Sequence, residues 1–393
     1  MLDIKIGDSP EVDLQKYTVA DQTHAYVEDL SGLDADDAAA FLNVGIETDM
    51  TARAGTFIQK DNRIIHCNAT QNGVDIMGIS QAIKTVDGLS DHVWKLIDPE
   101  KDDFTRCTYD MPTEGFFIRS RKGVKVPQPV QTCLHIAMEK SSQHVHNIVI
   151  AEEGSDMHII SGCSTSPHLI EGLHVGISEF YVKKGAKLTY TMIHDWGKAV
   201  NVRPRTVTHV EAGGIFISNY VSLKPVGSLQ TNPLTILAGK GAVARLNSVL
   251  VAAEGSQMDV GSEVVLEGEN SRAEIISRAI TAGGSIIARG KLIGKTPGIK
   301  AHLECKGLIL SEGFLHAIPE LEGFQPGVEM SHEAAVGKID QREIEYLMAR
   351  GMDEDAAIST IVRGFLNVEI DGLPASLVEK LDKAIAETQN DVM

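Results

Sequence analysis

Cysteine is scarce in this sequence, and its placement argues against a disulfide framework. The chain of 393 residues has five cysteines, which are widely spaced and include no CxxC pair. Disulfide-dependent proteins carry even numbers of cysteines at close spacings, so we expect these thiols to be free and reduced. Any chemistry at the cysteines is then that of a thiol or a metal ligand.

Aromatic residues and long hydrophobic runs are scarce too. Aromatic residues make up 5% of the chain, which disfavours a surface that stacks on sugars or bases. No uncharged apolar run approaches the ~20 residues that cross a bilayer, and residues 1–6 do not have the pattern of a secretory signal. We therefore expect a cytoplasmic protein without a membrane segment.

Positive charge is in the minority, because 36 basic residues face 54 acidic ones and the net charge is −18. Phosphate groups repel such a surface, so we expect neither nucleic acid nor an anionic membrane as a general partner. The apolar fraction of 43% and the charged fraction of 23% are ordinary for a globular protein. At ~150 residues per domain, the length predicts two to three domains.

The first ~115 residues have a mixed pattern. Acidic residues open a predicted helix over 33–42, where they meet the positive end of the helix dipole. A second short helix is predicted over 90–97, ending before Pro99. Short strands are predicted between them, at 56–58 and 63–66.

Glycine and asparagine recur at nearly equal intervals in the second half of the chain. The intervals are about 14 residues long, and the runs between them are typical of strands. A fixed short period of turns indicates a solenoid, so we predict a parallel β-helix, with a β-sandwich as the alternative. The turn residues are Gly213, Gly227, Gly241, Gly255, Asn270, Gly284, Gly298 and Gly313.

Residues 299–309 illustrate the pattern within one unit. Leu303 and Cys305 fall on a mainly apolar face, and Glu304 and Lys306 fall on the opposite face. This alternation predicts a strand with one buried side.

The last ~60 residues change to a helical period. Asp340 with Glu343 resembles a capping box, and the helix that follows is expected to end at Gly351. Asp353 is expected to cap a second helix, and a third is predicted from about Pro374. Such helices could cap an open solenoid end or dock a partner.

Common nucleotide-binding and hydrolase motifs are missing, but side chains that bind metals occur in two places. Cys305 is one, and His332 with Glu333 is the other. Thiolate, imidazole and carboxylate groups suit zinc or iron–sulfur ligation. The simpler alternatives are a core cysteine and two solvated residues in a loop, and Cys163 is likewise open to a packing role.

Four segments together resemble the SufB/SufD proteins of the SUF iron–sulfur cluster assembly system. The most specific is LMARGMDEDAAISTIVRGF at 347–365. ISRAITAG at 276–283, SGCS at 161–164 and HEA at 332–334 fit the same family. The resemblance extends over about residues 115–370.

This resemblance implies a mainly β fold. A right-handed parallel β-helix core over 115–330 would lie between an N-terminal mixed region, 1–114, and a C-terminal helical region, 331–393. The chain would be a scaffold rather than an enzyme. It would dimerise through the β-helix and hold a transient iron–sulfur cluster near the interface, and its C-terminal region would dock a SufC-type ABC ATPase.

The resemblance also implies roles for single residues. Cys305, His332 and Glu333 would bind the cluster, Cys163 would accept sulfur from an unidentified donor, and Trp196 would lie near an internal sulfur route. The expected ATPase-docking residues are Leu347, Arg350, Ile358, Ile361, Val362 and Phe365.

Some positions depart from the SufB pattern. Ser331 replaces a common Glu, His135 replaces a common Arg, and an N-terminal cysteine motif is missing. Cys163 and Cys305 still favour a SufB-like protein. With His332 in the same chain, they predict a homodimer in a minimal two-component system, rather than pairing with a SufD-like paralogue. The alternatives are a SufD-like structural partner without a cluster and an unrelated polysaccharide-active β-helix enzyme.

Overall fold

The computed structural model describes residues 12–20, 22–47, 53–111 and 114–366. The helices of these ranges are α1 Ala35–Asn43, α2 Ile79–Thr85, α3 Asp103–Asp110, α4 Gln341–Met348 and α5 Glu354–Leu366. The strands are β1 Thr18–Val19, β2 Gly55–Lys60, β3 Arg63–Ala69, β4 Val74–Gly78, β5 Phe116–Ser120, β6 Val130–Ile136, β7 Ser141–Ala151, β8 Asp156–Thr165, β9 Glu171–Val182, β10 Lys187–Asp195, β11 Ala199–Val202, β12 Arg205–Val210, β13 Ile215–Ser222, β14 Ser228–Thr231, β15 Leu234–Leu237, β16 Val243–Ala253, β17 Gln257–Val260, β18 Glu263–Leu266, β19 Arg272–Ala282, β20 Ser285–Gly294, β21 Lys300–Ile309, β22 Phe314–Gly323 and β23 Glu329–Gly337.

The strands form two sheets, which we call sheet A and sheet B. The main path of sheet A runs β11-β14-β17-β20-β18-β15-β12-β9-β7-β5-β4, and β1 and β22 join it at β7 and β20. Sheet B runs β23-β21-β19-β16-β13-β10-β8-β6-β2-β3. The chain alternates between the sheets, so successive strands of one sheet pair in parallel, as β10, β13 and β16 do.

The register of neighbouring strands in one sheet gives the length of a coil, by which we mean one complete turn of the solenoid. Lys187 lies opposite Ile215, and Ile215 lies opposite Val243, so these two coils are equally long. Each of them takes two of the units that the turn period predicted. A sandwich joined by regular turns would be antiparallel, so the prediction of a parallel β-solenoid is confirmed.

The regularly spaced turn residues have two physical roles. Five of the eight have a positive φ, and Asn270 at 58° shows why asparagine substitutes for glycine there. Gly227 instead lies where the chain passes close to the preceding coil. A Cβ added to it would stand 2.9 Å from the carbonyl carbon of Ala199.

The inner faces of the two sheets enclose one continuous apolar core. It extends from Phe57 and Phe116 near the amino-terminal end to Leu303 and Cys305 near the other end. A second cluster covers the outer face of sheet B, where α1 and α5 pack on it. The predicted strands at 56–58 and 63–66 lie within β2 and β3, which extend sheet B. The division at residue 115 stays a prediction.

The predicted helix over 33–42 is confirmed as α1, capped by Asp34, but the helix over 90–97 is wrong. One 3-10 turn covers Leu89–Asp91, and then Trp94 takes a φ of 53°. The backbone N–H groups of Trp94, Lys95 and Leu96 donate to the buried carboxylate of Glu179 at 2.6–2.7 Å. Glu179 belongs to β9, so a distant side chain replaces the helical acceptors.

Asp340 and Asp353 cap the C-terminal helices as predicted, but the capping box of Asp340 with Glu343 does not form. The side chain of Asp340 accepts from the Arg342 N–H group at 2.9 Å, and that of Asp353 accepts from the Ala356 N–H group at 2.7 Å. Gly351 ends the first helical segment with a φ of 98°. The helix predicted from Pro374 lies outside the described residues. Across the described ranges, no helix is long and apolar enough to cross a membrane.

Candidate functional site

Among the described residues, no strand covers the carboxy-terminal end of the solenoid. β23 is the last strand of sheet B and pairs with β21, while β22 is the corresponding last strand on the β20 side of sheet A. Within the described part of the chain, no strand pairs with the outer edge of β23, and most of its side chains are exposed. Free strand edges of this kind can accept another strand.

Cys305 lies in β21 at this end, on the inner face. Its side chain is buried among the core residues, and its register partners are Ser277 in β19 and Ala334 in β23. Burial raises the pKa of the Cys305 thiol to about 11. The nearby Glu304 carboxylate raises this pKa further, and the Arg278 guanidinium lowers it. At neutral pH the group is therefore a thiol, and binding a metal requires loss of its proton.

His332 and Glu333 lie in β23, not in a loop. His332 is aligned with Leu303, so it belongs to the inner face that carries Cys305. Glu333 is aligned with Glu304 and lies on the outer face. In the described ranges, no three His, Cys, Asp or Glu side chains are grouped as a metal site. One chain therefore brings the three predicted ligands to the same end of the solenoid without making them converge.

Glu333 takes part in a network of ion pairs on the outer face, which we call the outer network. The Lys306 ammonium lies 3.2 Å from the Glu333 carboxylate and 2.8 Å from that of Glu304. Arg278 also pairs with Glu304. Hydrogen bonding to Glu304, followed by that to Glu333, raises the pKa of Lys306, so the ammonium stays charged.

Cys163 lies far from this end, on the inner face of β8. It is fully buried, and burial raises its thiol pKa well above the usual range, with a smaller contribution from Cys133. Five strand spacings separate β8 from β21 in sheet B, which is roughly 24 Å at ~4.8 Å each. Direct transfer between the two thiols therefore needs a path along the inside of the solenoid.

Trp196 follows β10 and is buried in the same interior. Its ring contacts those of His174 and His194, with centroids 5.0 and 5.3 Å apart. Its indole Nε1 has no hydrogen-bond partner. A nearby cavity of about 80 Å³ is lined by these histidines, Tyr220 and Ser248 among others. It lies among the coils between Cys163 and Cys305, and neither thiol lines it.

Most of the predicted docking residues are at least partly buried, and only Arg350 is exposed. Val362 is buried against the outer face of sheet B, and Leu347, Ile358, Ile361 and Phe365 are partly buried. Val362 therefore packs α5 onto sheet B.

The exposed surface of the C-terminal helices is different. Tyr346, Met348 and Met352 are exposed, and Arg350 lies over the Tyr346 ring at 4.4 Å. We call these four residues the α4 surface. Three of them are not among the docking residues that the resemblance implies, because sequence periodicity does not tell which side of a short helix the sheet covers.

The outer network was also missed. The sequence places Glu304 and Lys306 on one strand face, but their partners on β19 and β23 depend on the length of each coil. That length is carried by the spacing of the turn residues over a whole coil, and the alternation within one strand does not give it.

Comparison with known proteins identifies the family of the chain. The family profile described as "SUF system FeS cluster assembly, SufBD core domain" matches residues 134–365. A SufBD family protein of Archaeoglobus fulgidus is 52% identical, over 89% of this chain and 94% of the relative. One from Methanothermobacter thermautotrophicus is 41% identical over 95% and 93%. The iron–sulfur cluster assembly protein SufB of Bacillus subtilis is 28% identical over 88% and 76%. The chain therefore belongs to the SufBD family of iron–sulfur cluster assembly proteins.

Proposed function

We propose that this chain is a scaffold on which an iron–sulfur cluster is built at the interface of two copies. The observation that carries the proposal is the position of Cys305, His332 and Glu333 on the last two strands of sheet B, at the uncovered end. One chain offers too few convergent ligands. Two copies that meet at this end supply two thiols and two imidazoles, which is enough for one cluster.

The second copy is favoured over a SufD-like paralogue because one chain carries the thiol, the imidazole and the carboxylate. The edges of β22 and β23 that no described strand covers suit strand pairing between the copies. Phe324, 62% exposed at the end of β22, and Val336, 43% exposed in β23, add apolar surface there.

Sulfur is proposed to enter at Cys163 and to reach Cys305 along the solenoid interior. Between the two cysteines, Met192, Tyr220, Ser248 and Ser277 continue the register column of Cys305 on the inner face. Trp196 borders this path near Cys163. The sulfur donor remains outside the proposal.

A SufC-type ATPase is proposed to bind the C-terminal helices through the α4 surface. β23 ends at Gly337, and α4 starts at Gln341, so only a short link joins the docking helices to the strand that carries His332 and Glu333. Movement of the helices would therefore act directly on the cluster site. ATP hydrolysis belongs to the partner.

Anaerobic reconstitution with the ATPase partner, iron and sulfide tests the proposal. Visible absorption and Mössbauer spectra are compared for the wild type, Cys305→Ala and the control Cys67→Ala, whose thiol lies in β3 at the other end of sheet B. We expect the cluster signal to persist in Cys67→Ala and to be lost in Cys305→Ala. Equal signals in all three proteins would contradict a ligand at Cys305, and a folded complex without a signal would favour the structural-partner alternative.

A further inference from the structure

β23 is the strand that covers Cys305 from the open end. Ala334 of β23 lies next to Cys305 in register, and the thiol is only 2% exposed. As an edge strand with mostly exposed side chains, β23 is among the elements with the least packing to hold it. Its attachment to β21 therefore controls access to the thiol.

Cross-strand side chains on the outer face supplement the backbone hydrogen bonds of this pair. Lys300 pairs with Glu329 at 2.8 Å, and His302 shares a hydrogen bond with Ser331 at 2.9 Å. The outer network supplies the third contact, at Lys306.

The third contact differs from the other two because it resolves a repulsion. Glu304 and Glu333 lie directly opposite each other in register, and like charges in that position destabilise a strand pair. The Lys306 ammonium contacts both carboxylates, at 2.8 and 3.2 Å. Removing this one cation leaves two facing carboxylates, with Arg278 in contact with Glu304 alone.

The register itself matters for the ligands. β21 and β23 are aligned so that Lys300 lies opposite Glu329 and Cys305 lies opposite Ala334. A slip of one residue would change the face of every side chain of β23 and would place Glu333 in line with Cys305.

We propose that Lys306 is a positioning residue for β23. By binding Glu333 and Glu304 together, it stabilises the pairing of β23 with β21 in the register that the coil length sets, with Glu333 apart from Cys305, and so keeps the thiol covered. Only the biological role of this contact rests on the proposed function: if Glu333 binds iron, Lys306 must release it. The effect on access to the thiol exists without iron.

The test is the rate at which iodoacetamide modifies Cys305 in the full metal-free chain, read by peptide mass spectrometry at one pH. A surface ion pair of this kind changes an opening equilibrium by about two- to five-fold. We therefore expect Cys305 to be modified about two- to five-fold faster in Lys306→Met than in the wild type. In Lys306→Arg the rate should stay near that of the wild type. The control Lys295→Met, which breaks the exposed pair with Glu267, should have no effect.

A double variant separates this role from general loosening. In Lys306→Met/Glu333→Gln the Glu304 carboxylate no longer faces a second carboxylate, so this variant should react no faster than Lys306→Met alone. An unchanged rate in Lys306→Met, an equal increase in Lys295→Met, or a faster rate in the double variant than in Lys306→Met would overturn the proposal. Circular dichroism of each variant confirms the fold. If the alkylation rates contradict the role of Lys306, the reconstitution result still stands. If reconstitution fails, the alkylation rates can still be interpreted, because they are measured without iron.

Discussion

Cys305 is a buried thiol at the end of a stack of strands, and its protonation decides when it can bind a metal. Burial removes the thiolate from water and raises the pKa of the group to about 11. Metal binding instead needs the thiolate form, which arises only when a metal replaces the proton or a positive neighbour stabilises the negative charge. A covered, protonated thiol at the proposed cluster site is thus protected from oxidation until the site opens.

Titration of the folded chain tests this protection. The thiolate absorbance of the wild type and of Cys305→Ser should be equal at about pH 9, where an ordinary cysteine is already largely ionised. The two should diverge only toward the pKa of about 11. Because the folded chain holds this proton longer than the unfolded chain does, its stability relative to Cys305→Ser should fall as pH rises through that range. A difference in absorbance already present at pH 9 would contradict the account.

At the scale of elements, α5 is held by packing, and α4 presents the free surface. Val362 and Leu366 pack with Val249, Ile280 and Leu308 on the outer face of sheet B. The α4 surface lies outside this contact. Stability and docking should therefore depend on different residues of the same helical segment.

Two substitutions separate these roles. Val362→Ala should lower the free energy of unfolding by about 2 kcal/mol, because it removes buried methyl groups and leaves a cavity. Tyr346→Ala should leave stability nearly unchanged and weaken binding of the ATPase partner, measured by calorimetry. Ser359→Ala on α5 serves as the control for both measurements. Unchanged ATPase binding in Tyr346→Ala would remove the α4 surface as the docking site.

The elements also show which features a sequence can reveal. The turn period, the alternation in β21 and the two capped C-terminal helices depend on neighbours close in the chain, so they were predictable. The turn at Trp94 was not, because its hydrogen bonds go to Glu179, 85 residues away.

The site itself shows the sharper limit. Arg272 of β19 lies opposite Lys300 of β21, which lies opposite Glu329 of β23, so the second of these coils is one residue longer than the first. If the two coils were equally long, Glu333 would align with Cys305 instead of Glu304. A difference of one residue in coil length thus decides which face a ligand takes. The turn residues Asn270, Gly298 and Gly327 have the same two spacings as these coils, so the sequence carries the difference, but over two whole coils and not within β23 itself.

At the scale of the whole molecule, the two ends of the solenoid differ. At the amino-terminal end, the antiparallel pairs β2–β3 and β4–β5 close the sheets. At the other end, β22 and β23 leave edges that no described strand covers. This end carries the thiol, imidazole and carboxylate groups, and it is where we propose that a second copy binds, with the cluster between the two.

Light scattering on the size-fractionated, cluster-loaded complex with its ATPase tests this central claim most directly. The account predicts two scaffold copies in the complex that carries the iron and sulfide. A complex that holds the cluster with a single scaffold copy would contradict it.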